Sequence, residues 1–291
     1  MYSCNDRPAR EESETIAAFN SSDKASEEPI EPTTRLKLQL AYAGTDFHGW
    51  QLQDGARTVQ GCLEKALAQL VGRPVRVHGA GRTDAGVHAL GQVAHVQVPA
   101  RRGNLPWQRA LNALLPQDVC VVEVQIVPDS FHARFDANRK TYSYTLWTEP
   151  TYVLPQRKGY VWPVGRLDLE AMVQASKYLV GRRDWSAFQN RGTPVRSTVR
   201  TVFDVHPEIG GRPNETVWFF SADGFLKQMV RNMMGCLVTV GKGKLCADQV
   251  EAILRQGSRA SAPATAPARG LCLERVEYRE SAACPDPVPD G

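Results

Sequence analysis

Residues 78–98 read HGAGRTDAGVHALGQVAHVQV, and the parsing of this stretch decides the fold. Val75 and Val77 lead into it as a short alternating strand signal, and Val93 to Val98 leave it as a second one. Between them stand Gly79, Gly81, Gly86 and Gly91, with Arg82, Thr83, Asp84 and His88 packed among them. So many glycines in one connection imply a backbone held in turns that other residues disfavour, or brought very close to a ligand. A carboxylate and a guanidinium displayed between two strands have the makings of a site. Spacing alone leaves a second reading open, in which Asp84 and Arg82 merely cap and solvate a turn.

Working outward, the two strands fall inside a longer pattern. Leu36, Leu38, Leu40 and Tyr42 alternate, as in a strand with one buried face. Thr58 then precedes Val59, Leu63, Ala66, Leu67 and Leu70, a capped amphipathic helix ending near Gly72. After the strands at 74–78 and 92–98, a helix around Trp107, Ala110, Leu111 and Leu114 stops at Pro116, and residues 119–126 form a fourth strand. The order is β-α-β-β-α-β. Residues 141–147, 169–180, 199–205, 216–221, 225–240 and 271–278 repeat it, with an extra short helix near 247–256. Two such units predict an α/β (α+β) fold in which two ferredoxin-like halves, 35–136 and 137–280, join into one central mixed, largely antiparallel sheet flanked by helices. Long connections around 43–57, 79–91, 148–166 and 182–198 would line its open face.

Residues 1–34 are rich in Glu, Ser, Thr and Ala and carry a net charge of −5; residues 281–291 hold three prolines and a net −2. Both read as disordered tails. The 246 residues between them stand at +11 although the whole chain is only +4, so the folded part attracts polyanions, nucleic acid first among them. No apolar run approaches the roughly 20 residues that span a bilayer. No secretory signal is evident, and the seven cysteines are scattered without a C-x-x-C pair. That usage suits a reducing cytoplasm.

With this topology in place, GRTDAGVHALGQVAHV strongly resembles the catalytic motif of the tRNA pseudouridine synthase A family. YAGTDFHGWQLQ with TVQGCLEKAL, DSFHARFDANRKTYSY, FLKQMVRNMMGCLVTVG and GLCLERVEY resemble further signatures of that family, in the same order, so the likeness covers about residues 35–280. The departures are a loop, WSAFQNRGTPVRSTVR, that looks shorter than in some relatives, and the added N-terminal tail. The resemblance implies isomerisation of uridine to pseudouridine at positions 38, 39 and 40 of the tRNA anticodon stem-loop. It also implies a flipped target base, no cofactor, no metal, and a homodimer across which the tRNA lies.

By the same resemblance Asp84 is the catalytic carboxylate. The reaction breaks the bond between uracil and ribose, turns the base and rejoins it through carbon-5, and an ionised carboxylate can attack as nucleophile or take a sugar proton. Arg231 is expected to pair with it. On a helix from Phe225, Lys227, Gln228, Arg231, Gly235 and Lys242 would share one side, and Gly235 would admit the site loop; a plain solvent face accounts equally for Lys227 and Lys242. Tyr142 matches the tyrosine whose ring stacks on the flipped uracil and whose hydroxyl lies near carbon-5. Because Tyr142 and Tyr144 share a strand face, one of them could be core and the other site. Arg82 and Arg102 match positions that hold RNA and help expel the base, and Phe131, His132, Ala133, Arg134 and Phe135 match an RNA-contacting segment. For Arg102 a solvated pair with Arg101, and for Phe131 and Phe135 a packing role, fit as well. Arg196 and Arg200, in the basic loop, are expected to meet phosphates.

Two other classes compete. His78, Asp84, His88 and His95 lie within eighteen residues and invite a metal-site reading, but His78 and His95 sit on strand signals at opposite ends of the connection. A catalytically silent RNA-binding protein would also use a basic body and ferredoxin-like sheets. Asp84 set beside Arg231 and Tyr142 argues against silence.

Overall fold

The computed structural model describes residues 31–190, 192, 194–209 and 212–279. The expected tails therefore lie outside the described residues, apart from 31–34, where the first strand has already begun. That strand, β1 (Thr33–Tyr42), buries Leu36, Leu38, Leu40 and Tyr42 on one face, as the period of two requires. Thr58 caps α1 (Val59–Val71) by accepting from Gly61 N, and the helix ends where Gly72 turns left-handed at φ +85°.

β2 (Val77–Gly79) and β3 (His88–Pro99) pair antiparallel, with His78 opposite His95 and Gly79 opposite Ala94. The strand expected at 74–78 is thus shorter and later; Pro74 has no N–H to give to a ladder. α2 (Trp107–Leu114) and β4 (Val119–Val127) complete the first repeat. The second runs through β5 (Ala137–Trp147), a two-residue β6 (Trp162–Pro163), α3 (Leu169–Ser176), β7 (Gly181–Asp184), β8 (Val199–Ile209), β9 (Glu215–Ala222), α4 (Met229–Gly241), α5 (Ala247–Gln256) and β10 (Leu271–Tyr278).

Among the described residues the strands form one sheet in the order β4-β1-β3-β10-β5-β9-β8-β7, with β2 on β3 and β6 on β5. All its pairings are antiparallel except β6 on β5 and the seam between the repeats. There β10 runs parallel to β3, Cys272 opposite His88 and Leu273 opposite Ala89. This pairing explains why β3 starts at His88, four residues before the strand expected at 92–98. Gly91 is what lets the two backbones meet, because any Cβ there would collide with the Glu274 carbonyl. One continuous core joins the sheet to the helices, with Leu36, Leu40, Leu63, Tyr144, Trp218, Phe220 and Met233 all fully buried in it. Among the described residues no helix is long and apolar enough to cross a membrane.

Three expectations need correction. The helix carrying Arg231 begins at Met229, because Gln228 sits in the left-handed region at φ +62° and the chain turns there. Lys227 and Gln228 lie outside it, so the shared helix side drawn through them does not exist. Gly235 does permit a close approach, but to the carbonyl of Ala264 rather than to the glycine-rich loop. Part of the loop expected at 182–198 is also regular: β7 lies antiparallel to β8, with Arg183 opposite Arg200.

Candidate active site

The connection between β2 and β3 is held by five neighbouring parts of the chain. Ala80 N donates to Val93 O at 2.7 Å, and Trp50 N donates to Thr83 O at 3.1 Å. Gly86 N donates to Phe47 O at 3.2 Å. Lys140 Nζ donates to Ala80 O at 2.7 Å, and Gln92 Nε2 to Gly81 O at 2.9 Å. The hydroxyls of Thr83 and Tyr42 bond at 2.8 Å. Burial pushes the Tyr42 phenol well above its ordinary range, so it stays a neutral hydroxyl. Each such bond contributes on the order of 1 kcal/mol net, and together they fix the direction in which Asp84 points. Of the four glycines in this stretch, Gly86 alone takes a positive φ, +79°. Gly79 instead lies flat against the Trp50 ring.

Asp84 Oδ2 accepts from Arg231 Nη1 at 2.8 Å, across 147 residues of sequence. Arg231 is itself oriented: its Nε donates to Ala266 O at 2.8 Å, while Ala266 N donates back to Arg231 O at 3.1 Å. Both side chains are sheltered, at 15% exposure for Arg231 and 22% for Asp84, so the pair is screened less than one on the open surface. Among the described residues Oδ1 of Asp84 accepts no hydrogen bond, which leaves one carboxylate oxygen fixed and the other uncommitted.

The two tyrosines of β5 divide. Tyr144 is fully buried and donates to Pro267 O at 2.6 Å. Tyr142 is 8% exposed and packs edge-on against Phe225, with ring centroids 5.3 Å apart. Among the described residues its hydroxyl bonds to nothing, and it is not one of the sealed, unpartnered polar atoms, which are Trp107 Nε1 and Trp218 Nε1. Burial first, and then Tyr42 and Asp84 nearby, push its phenol above the ordinary range. A neutral phenol within electrostatic reach of a carboxylate that has one free oxygen is equipped for proton transfer to or from a bound group.

A model of the family described as tRNA pseudouridine synthase matches residues 40–136 and 175–279. The chain belongs to that family. It is 61% identical over 249 residues to the tRNA pseudouridine synthase A of Solidesulfovibrio magneticus, covering 84% of this chain and 91% of the relative. Its identity to the tRNA pseudouridine synthase A of Maridesulfovibrio salexigens is 52% over 247 residues, covering 85% and 91%. tRNA pseudouridine synthases are isomerases, and the chain is an enzyme of that class.

The residues singled out in this tRNA pseudouridine synthase sequence do not all come together. Asp84 and Arg231 are in contact, and Tyr142 lies close enough for the carboxylate to bear on its phenol. Arg82 is exposed two residues before Asp84. Arg102, on the turn after β3, and Arg196, at a bend before β8, are exposed; among the described residues neither bonds to the Asp84 group. Phe135 is 74% exposed, whereas Phe131 packs at 5.1 Å against Tyr278, so stacking surface and packing surface coexist in one short turn. Ala133 is fully buried. His132 Nδ1 accepts from Arg134 N and Phe135 N, at 3.1 and 3.2 Å.

The histidines separate as well. His78, His95 and His132 cluster, with His78 and His95 stacked at 5.1 Å, while His88 is turned elsewhere, accepting from Gly44 N and bonding to Gly159 O. Among the described residues no three His, Cys, Asp or Glu side chains are grouped to hold a metal ion.

Sequence reasoning overlooked Lys140 and Gln92 and took Tyr42 only as the end of an alternating strand. Gln92 carried one usable signal: it is a polar residue inside an apolar run, and it is fully buried.

Proposed function

We propose that this synthase isomerises uridine to pseudouridine at positions 38, 39 and 40 of the tRNA anticodon stem-loop, with Asp84 as the catalytic carboxylate and the target base flipped out of its stack. The reading includes a homodimer, a cytoplasmic setting, no metal or cofactor, and residues 35–136 and 137–280 as two ferredoxin-like halves. The observation that carries it is the geometry of Asp84, whose Oδ2 is committed to Arg231 while Oδ1 is free; the Tyr142 phenol is near enough to be acted on by the carboxylate's charge.

The chemistry follows from those groups. Oδ1 either attacks the sugar or removes a sugar proton, breaking the bond to uracil, while the arginine compensates the carboxylate's charge before and after. The uracil turns inside the pocket against the Tyr142 ring and rejoins through carbon-5. The proton then leaving carbon-5 goes to the Asp84 carboxylate, directly or by way of the Tyr142 hydroxyl handing on its own proton, while N1 of the uracil gains one, so that protons balance over the isomerisation. Flipping costs a few kcal/mol of unstacking. Arg82, beside the site, is suited to fill the vacated place in the stack. Arg102, Arg134, Arg196 and Arg200 supply phosphate contacts, and Phe131, His132, Ala133 and Phe135 make the surface on which the RNA rests.

The test is tritium release from tRNA labelled at uracil carbon-5. The wild-type protein is expected to release tritium from the anticodon arm and to do so in EDTA. Asp84→Asn, which keeps size and hydrogen bonding but loses the charge, is expected to release none above background while tRNA affinity changes by less than about tenfold, since phosphate contacts dominate binding. Tight binding by wild-type protein without release would favour the silent RNA-binding protein.

A further inference from the structure

Lys140 has no part in the chemistry above, yet it touches the loop that carries Asp84. It stands two residues before Tyr142 on β5 and donates to Ala80 O at 2.7 Å. A Cβ on Gly81 would stand 3.5 Å from its Nζ, so the ammonium abuts the residue next to Arg82. An ammonium has three donors, and among the described residues only this one bond is made. Burial pushes its pKa down to about 8, with Arg134 and then Arg200 adding to the effect, and no carboxylate acts in the other direction.

The two arginines come from different elements. Arg134 lies in the turn after β4 and Arg200 on β8, and among the described residues neither is paired with a carboxylate. Arg200 uses Nη1 on the carbonyls of Ser197 and Val199. Lys140 pairs across the sheet with Ala222, and a Cβ on Gly224, two residues further on, would stand 3.6 Å from Arg200 Nε; cations from three elements that act on one partly buried ammonium are unfavourable unless an anion completes them. The polyanion already argued for this surface offers one in every nucleotide.

We propose that Lys140, together with Arg134 and Arg200, seats one backbone phosphate of the RNA strand next to the flipped uridine, and that the bond from Lys140 to Ala80 carries this contact into the Asp84 loop. The inference rests on reading the protein as an RNA-modifying enzyme. Lys140 is a positioning residue in this scheme. Its free donors meet the phosphate while its third holds the loop, so seating the strand and setting the carboxylate become one event. Arg134 and Arg200 supply charge around the same anion.

Anticodon-arm hairpins in which one phosphate at a time is replaced by an uncharged methylphosphonate test this directly. With wild-type protein, one linkage beside the target uridine is expected to weaken binding about tenfold, the scale of one charge-assisted contact. Lys140→Met should bind unmodified RNA about tenfold more weakly and show no further penalty at that linkage, while its penalties elsewhere stay as in wild type. Lys140→Arg, which keeps the charge, should restore the penalty there. If Lys140→Met does not fold, Arg200→Met must show the same levelled linkage. A wild-type map without such a linkage, or a Lys140→Met or Arg200→Met map that keeps the full penalty at it, overturns the proposal. Pseudouridine is assayed in the same hairpins. Failure of the enzyme reading would appear as no product from wild type, whereas failure of the phosphate seat would appear as normal product with an unchanged map.

Discussion

Two turns carry most of the candidate residues, and they are held in opposite ways. The loop at 80–87 is fixed by main-chain amides, the Gln92 amide, the Tyr42 and Thr83 hydroxyls, a guanidinium and the Lys140 ammonium, which with its pKa lowered to about 8 would lose its proton only on the alkaline side. The turn at 131–136 depends on two imidazole nitrogens acting as acceptors. Ala133 N donates to His95 Nδ1 at 3.1 Å, and Arg134 N and Phe135 N share His132 Nδ1. A proton on either nitrogen would set N–H against N–H. The fold guards against this. Burial first, and then the neighbouring His132, His78 and Arg35, lower His95 to about 4, and burial with His78 lowers His132. The main-chain hydrogen bonds of the first turn thus involve no histidine, whereas those of the second need two imidazole nitrogens free of protons.

The largest expected effect lies on the first turn. Arg231→Met removes the partner of Asp84 Oδ2 and should lower single-turnover pseudouridine formation by about two to three orders of magnitude. tRNA affinity should stay within a few-fold, as read by filter binding. An equal loss of binding would mean that the loop and the RNA surface are not separable. Next comes Tyr142→Phe, which keeps the ring and loses the hydroxyl. It should bind tRNA normally and slow turnover by about one to two orders of magnitude; unchanged turnover would reduce Tyr142 to a stacking surface.

The second turn is probed by pH. Between about 4 and 6.5 the unfolded chain protonates His95 and the folded chain does not, so the unfolded state binds the extra proton. Stability should therefore fall as pH drops through that window, by on the order of 2 kcal/mol from this residue at pH 4.5. Urea titrations across pH should show it, and His95→Gln, which keeps an acceptor, should flatten that part of the slope. A slope that persists unchanged would place the acid sensitivity outside the 131–136 turn. The smallest effect is expected from Arg196→Ala, which belongs to neither turn. Binding should weaken a few-fold, with the salt slope falling by about one and turnover at saturation preserved.

Much of this was legible in the sequence because it is local. The period of two in Leu36, Leu38, Leu40 and Tyr42, the Thr58 cap and the Gly72 stop each depend on neighbours in the chain, and each stands where it was expected. The start of α4 was not legible, since Gln228 adopts a left-handed turn that a glutamine does not choose unaided. β7 was missed because Gly181, Arg182, Arg183 and Asp184 form a short, polar edge strand with no hydrophobic period to show. The Asp84–Arg231 contact was expected from the family resemblance, while the helix phase that seemed to support it rested on two residues outside the helix. Lys140 shows the limit most clearly. A lone lysine in a strand reads as solvated, and only the assembled fold sets it under Ala80.

The place of β10 has a consequence for the order in which the molecule comes into being. This strand lies between β3 and β5, in the middle of the sheet, although it is drawn from residues 271–278. A ribosome delivers β1 to β4 early, with the Asp84 loop already flanked by its strands. The partner of Asp84 follows 147 residues later, and the strand that joins the two repeats later still. The nascent first repeat can gather its local contacts but must wait, with the inner edge of β3 open, for the last strand to arrive. On the function proposed above, synthesis and activation are thereby tied together: the carboxylate proposed for catalysis gains its arginine only once residue 231 has been made, and β3 its inner neighbour only once residues 271–278 have followed.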